Sequence, residues 1–359
     1  MRKYLARGAA VVSLIAGGLA CGAGLGDATP SPSATPRPVA ASGNITIAAV
    51  GDTILGNTPS LAPDPANYLD PIEATLTNGA QVVFANLEGT LTNASTSKCP
   101  PHDSECFAFR NPPRFAGYLA ADGFTVLNDA NNHSFDFGKT GQDQTVRAIH
   151  HAGMAQTGLP GEITVVKAGG RKIAFIAFAP YDYTASLLDL STAASMIREA
   201  SKDASIVVVY MHAGAEGSDR THVTGEEEYF LGEDRGNPEA FAHMAIRNGA
   251  DLVLASGPHV LRGMEFFHGH LIAYSLGNFA NFHNFGGGGV LSDSAILHVT
   301  LTSSGGYVTG QLNSVLLDSD GRPSLGGNSI PLVRSLSRED FAGQAARIGD
   351  KGLIRPPKG

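Results

Sequence analysis

The residues of this chain that could do chemistry fall at one kind of place, the end of an apolar, β-branched run. NITIAAV (44–50) leads into Gly51-Asp52, QVVFAN (81–86) into Leu87-Glu88-Gly89, and FTVLN (124–128) into NDANNHSFDFG (128–138). SIVVVYM (205–211) leads into His212, ADLVLAS (250–256) into Gly257-Pro258-His259, and HLIAYSL (270–276) into Gly277-Asn278. Asp52 and Glu88 offer carboxylate oxygens, Asn132 a neutral carbonyl oxygen, and His212 and His259 imidazole nitrogens. Oxygen and nitrogen donors without thiolate suit Mn, Fe, Zn or Mg, with no one of these preferred. A carboxylate can bridge two such ions about 3.5–4 Å apart, an arrangement used for hydrolysis. Any one of these residues alone reads as a cap or a turn. Together, at successive strand ends, they point to one site.

The elements that must position them alternate. The apolar runs read as buried strands. GKTGQDQTVRAIHHAG (138–153) and NPEAFAHMAIRNG (237–249) read as helices, the second capped by Asn237 with Pro238 in its first turn and Gly249 as its stop. A further helix is expected around STAASMIREAS, between the strands 172–178 and 205–211. The stretch from Ala295 to Leu317 alternates apolar and polar residues around Gly305-Gly306 and predicts an antiparallel hairpin. Strands that are apolar throughout and separated by helices indicate an α/β protein with sheets covered on both faces, whose ligands gather at strand carboxyl ends.

The ends and the composition set limits. Residues 1–20 carry a basic start, MRKYLAR, and an apolar run too short to span a bilayer as a mature helix, so they read as a signal peptide. Cys21 follows at the position of a lipidated cysteine, with simple cleavage and secretion as the alternative. Residues 21–43 are rich in Pro, Ser and Ala and read as a tether. With 33 Asp and Glu against 25 Lys and Arg, a formal net charge of −8 and no basic run, nucleic-acid binding is not expected. Cys99 and Cys106 in SKCPPHDSECFAF predict a disulfide-closed loop in an oxidising compartment. No GxSxG supports a serine hydrolase, and GGGGV (286–290) lacks the Lys and Ser/Thr of a phosphate loop. HVTGEEEYFLGEDRG (222–236) reads as a solvated excursion.

In chain order, GDTILG (51–56), NLEGTLT (86–92), NNHSFDFG (131–138), HAGAE (212–216), PHV (258–260) and YSLGNF (274–279) resemble the motifs of the CapA family. These are bacterial capsule and poly-γ-glutamate synthesis proteins on the calcineurin-like metallophosphatase fold. The resemblance implies a sandwich of two mixed β-sheets flanked by helices over residues 44–320, with 321–359 as a C-terminal extension. It implies one or two divalent metal ions on Asp52, Glu88, Asn132, His212 and His259, with His133 as the acid that serves the leaving group. Asn86, Glu216 and Asn278 would orient ligands or substrate. The expected activity is metal-dependent hydrolysis of a phosphoester-like bond in surface-polymer metabolism, outside the membrane and lipid-anchored to it. The alternative is a non-catalytic accessory subunit that holds an anionic polymer or a synthase complex. SGPHV departs from the family pattern, because Gly257 stands where a histidine is usual; His222 could substitute if its loop folds back.

Overall fold

A computed structural model describes residues 43–100, 103, 106–284 and 288–358; the signal peptide, Cys21 and all but the last residue of the tether lie outside the described residues. Two mixed sheets face each other. The larger runs in the order Arg347–Ile348, Leu353–Arg355, Tyr307–Leu317, Asp293–Leu301, Ile45–Thr53, Val82–Leu87, Val126–Asn128, Ala155–Thr157. The smaller runs Met264–Phe267, His270–Ala273, Leu252–Ser256, Ile206–His212, Arg171–Phe178, Thr164–Ala168.

Alternate residues of the strands meet between the sheets. Ile45, Ile47 and Phe84 pack there against Phe175, Val208 and Leu252, and the rings of Phe84 and Phe175 stack at 5.7 Å. The other face of the larger sheet is covered by the helices Asp70–Leu76, Phe115–Ala121 and Gly138–His151. Leu190–Asp203 and Pro238–Arg247 cover the smaller one. The central strands of each sheet are therefore buried on both faces, which is why they are apolar throughout, while Thr164–Ala168 and Tyr307–Leu317 are partly exposed. The expected cap is present, with the Asn237 side chain accepting from the Ala240 amide.

Two expectations change. The first strand does not stop at Val50 but continues through Asp52 to Thr53. A register shift between Val50 and Asp52 lets it go on pairing with Val82–Leu87, and Asn278–Ala280 joins it in parallel at Asp52. That approach needs Gly51, since a Cβ there would meet the Gly277 carbonyl oxygen at 1.8 Å. Nor are residues 321–359 an extension. Pro323–Leu325 pairs with Tyr307–Leu317, Leu353–Arg355 extends the same sheet, and the helix Ser329–Phe341 places Val333 in the central core. The larger sheet is incomplete without them.

One carboxyl in the outer layer gives a pH test. Asp122 ends the helix Phe115–Ala121 and is 3% exposed. Burial, with Glu73 and Asp70 nearby, raises its pKa to about 7 from 3.8. The folded chain therefore holds a proton that the unfolded chain has released, and stability falls as pH rises from about 4 to 7. Asp122→Asn should leave the melting temperature unchanged at pH 4 and add about 1–2 kcal/mol at pH 8, after discounting for solvent near the carboxyl. Equal effects at both pH values, read by thermal melts, would contradict this.

Candidate metal centre

The strand ends converge as their register dictates. Asp52 lies opposite Asn86 in the parallel pair of the larger sheet, and His212 opposite Ser256 in the smaller. Ligand atoms of Asp52, Glu88 and His212 all lie within 4.8 Å of one another, and all three residues are fully buried. The carboxylates are held by amides and hydroxyls. Asn86 donates through Nδ2 to Asp52 Oδ1 at 2.8 Å and closely to Glu88 Oε2. The Asn86 Oδ1 accepts from Asn128 at 2.6 Å and Asn131 at 3.0 Å. Ser256 Oγ donates to Asp52 Oδ1 and is itself hydrogen-bonded to the Tyr210 hydroxyl.

Several buried donor atoms beside these have no hydrogen-bond partner among the described residues. They are Glu88 Oε1, both ring nitrogens of His212, and Asn132 Oδ1. Leaving a buried polar atom unpaired costs about 1–3 kcal/mol. Burial lowers the His212 pKa to about 3, so the ring is neutral and keeps a lone pair. Burial and the Asp52 charge push Glu88 well above the usual carboxylate range, which a cation would reverse. A neutral imidazole, a carboxylate oxygen and an amide oxygen are the donor set of a divalent ion, so the residues fit one.

His259 has another place. Its Nδ1 sits 3.1 Å from Asp52 Oδ2 and 3.0 Å from Asn278 Oδ1, and its Nε2 is 3.6 Å from Glu216 Oε2. Burial alone would lower its pKa, but the hydrogen bonds to Asp52 and Glu216 raise it well above the ordinary imidazole range. Burial likewise acts to raise Asp52, and His259 overrides it. The ring thus lies between the Asp52 and Glu216 carboxylates. Gly257 contributes no ligand, and its φ of +123° with Ala213 backbone atoms at 3.2 Å explains the glycine. His222 does not replace it, because its Nδ1 is 2.7 Å from Asp340 Oδ1 on the surface.

Glu216 links the two halves of the site. Its Oε1 accepts from Asn132 Nδ2 at 3.1 Å and from Arg235 Nη2 at 2.9 Å. Burial would raise its pKa, yet His259 and Arg235 hold it down at about 2. Fixing the Asn132 amide nitrogen on Glu216 leaves Oδ1 as the atom free to bind an ion. Glu216→Gln, which offers a single acceptor and no charge, should weaken Mn²⁺ binding about tenfold. Calorimetric titration of the metal-stripped chain measures this, and unchanged affinity would contradict the role.

His133 stands at the rim, 6% exposed. Its Nδ1 contacts Asp136 Oδ2 at 2.9 Å, and the ring packs on Phe109 at 4.4 Å between centroids. Asp136 also accepts from the Phe109 amide at 2.6 Å and pairs with Lys98 at 2.7 Å. The sequence reading missed Asp136, although its spacing of three from His133 was the available signal. It missed Arg235 and Ser256 as well. Arg235 lies in the stretch read as a solvated excursion, but it is 3% exposed. Glu228 of that stretch grips the fully buried Arg262 through both carboxylate oxygens at 2.8 and 2.7 Å. Nearby, Cys99 and Cys106 form a disulfide.

Residues 46–283 match the family described as bacterial capsule synthesis protein PGA_cap. The PGA biosynthesis protein CapA of Bacillus subtilis (strain 168) is 32% identical over 44% of this chain and 42% of its own length. The capsule biosynthesis protein CapA of Bacillus anthracis is 27% identical over 65% of this chain and 56% of its own. The matches thus span about half the length of these relatives. Among solved structures, a 5'-nucleotidase precursor from Thermus thermophilus superposes with a TM-score of 0.44 at 12% identity, over 78% of this chain and 56% of that one. A purple acid phosphatase from yellow lupin seeds gives 0.38 at 11% identity, over 79% and 53%.

Proposed function

The chain belongs to the bacterial capsule synthesis protein family PGA_cap, and we propose that it acts there as an extracytoplasmic, metal-dependent hydrolase of a phosphoester-like bond. The observation that carries this reading is the set of buried donors on Glu88, His212 and Asn132 without hydrogen-bond partners among the described residues, with His133, oriented by Asp136, lining a cavity with Glu216, the partner of Asn132. A divalent ion held there supplies charge stabilisation at the reacting centre and acidifies a water molecule that it binds. Asp52 and Asn86 hold the Glu88 side of the site in place, and Glu216 holds Asn132. With Nδ1 engaged by Asp136, His133 passes its proton through Nε2 to the leaving-group oxygen. The substrate is a phosphoester-like bond in a surface polymer or its precursor, within capsule or poly-γ-glutamate metabolism, and the chain is attached outside the membrane through Cys21.

A second reading has one observation in its favour. Both Asp52 oxygens are already taken, Oδ1 by Asn86 and Ser256 and Oδ2 by His259, so Asp52 is satisfied without an ion. On that reading the chain is an accessory subunit that retains an anionic polymer or a synthase complex. The two are separated by assaying the purified full chain with 4-nitrophenyl phosphate and bis(4-nitrophenyl) phosphate, with Mn²⁺ and with a chelator. Hydrolysis that the chelator abolishes supports the enzyme; none with Mn²⁺, Fe²⁺ or Zn²⁺ would leave the accessory role.

A further inference from the structure

Beside His133 the structure has a cavity of about 260 Å³. His133, Glu216 and His259 form its floor, and Phe107, Phe109, Phe230 and Leu291 form its walls. It therefore adjoins the residues assigned above to the reaction, so a substituent next to the reacting group would enter it. Resting on the hydrolase reading, we propose that this cavity binds an uncharged aromatic ring carried by the substrate next to the scissile bond.

Three features support an aromatic ring over a second anionic group. No lysine or arginine lines the cavity among the described residues. The two cations of the neighbouring cavity, which shares Phe107, His133, Glu216 and Phe230 with this one, are committed: Lys98 to Asp136 at 2.7 Å, and Arg235 to Glu216 at 2.9 Å and Glu233 at 3.2 Å. A second phosphate or carboxylate entering here would meet Glu216, and the imidazole on the floor, His259, already lies between Asp52 and Glu216.

The walls, in turn, are costly to leave bare. Phe107 is 58% exposed, and Leu231, which lines the neighbouring cavity, 84%. Exposed apolar side chains grouped at a reaction centre mark a ligand surface. The walls are also pre-set. The Cys99–Cys106 disulfide closes the loop immediately before Phe107, and Phe230 packs against the Arg235 guanidinium at 5.5 Å. An aromatic guest would meet ring faces and edges already held in place, at little ordering cost. The cavity also offers the Asn284 amide nitrogen, which is buried and has no hydrogen-bond partner among the described residues. It suits an oxygen substituent on the ring.

The test is equilibrium binding by the Mn²⁺-loaded full chain, with phenylphosphonate, methylphosphonate and pyrophosphate as probes. Phenylphosphonate should bind about tenfold or more tighter than methylphosphonate, the effect of burying one ring, and pyrophosphate should gain no comparable advantage. Phe107→Ala should cut the phenyl preference to about threefold or less, with Phe107→Leu between. Because Phe107 is largely exposed, these variants should melt as the wild type does. Equal affinity for the two phosphonates, no binding of either, or a preference untouched by Phe107→Ala would each overturn the proposal. Its fate is distinct from that of the hydrolase reading. Selective phenylphosphonate binding without turnover of phenyl phosphate would retain the cavity and remove the hydrolase. Turnover with no preference for aryl over alkyl esters would do the reverse.

Discussion

His212→Ala should bind Mn²⁺ about a hundredfold more weakly than the wild type. Structural metal sites yield roughly 10–16 kcal/mol over about four ligands, so one ligand accounts for about 3 kcal/mol. His212 is the strongest case because neither ring nitrogen has a hydrogen-bond partner among the described residues, Glu88 Oε1 lying 3.7 Å from Nε2. Its depressed pKa also removes competition from protons over the whole neutral range. Glu88→Gln should lose affinity to a similar degree, but with an opposite effect on the metal-free chain. The Glu88 carboxyl keeps its proton in the folded state well above the usual range. The folded chain then binds more protons than the unfolded one, so this group costs stability as pH rises above about 4.5. Metal-stripped Glu88→Gln should therefore melt higher than the wild type at pH 8 and level with it at pH 4. Wild-type affinity in His212→Ala would remove this residue from the centre.

His133→Ala should retain the ion and lose turnover by about 10²–10⁴, the usual contribution of a positioned acid or base. Asp136→Asn should fall between, because the ring remains while the carboxylate that fixes its Nδ1 is gone. If His133→Ala lost metal and activity together, the histidine would be a structural support and not the acid. Bound Mn²⁺ measured by atomic emission in the same samples separates these outcomes.

Much of this was legible in the sequence, for a physical reason. A strand buried on both faces must be apolar over its whole length, so the polar residue that ends it stands out, as Asp52, Glu88 and His212 do. Parallel register then brings such ends together without further information, with Asp52 opposite Asn86 and His212 opposite Ser256. What was not legible depends on chain segments with no periodicity. Arg235 reaches Glu216 from a loop whose acidic composition suggests full solvation. Residues 321–359 include the short strands Pro323–Leu325 and Leu353–Arg355, whose pairing on Tyr307–Leu317 no local pattern announces. The place of His259 is a matter of geometry, since a histidine at a strand end serves equally as a ligand or as the partner of two carboxylates. Asn131, which reads as a turn former, ties the His133 loop to Asn86 and so to both carboxylates.

The central claim is that Glu88, His212 and Asn132 surround an ion. It is met most directly by a crystal of the full chain soaked in Mn²⁺, with anomalous differences measured near the manganese edge. The account predicts one strong peak per chain, about 2.0–2.3 Å from Glu88 Oε1, a His212 ring nitrogen and Asn132 Oδ1. A density map with no peak there, and His212 hydrogen-bonded to ordered water instead, would contradict it.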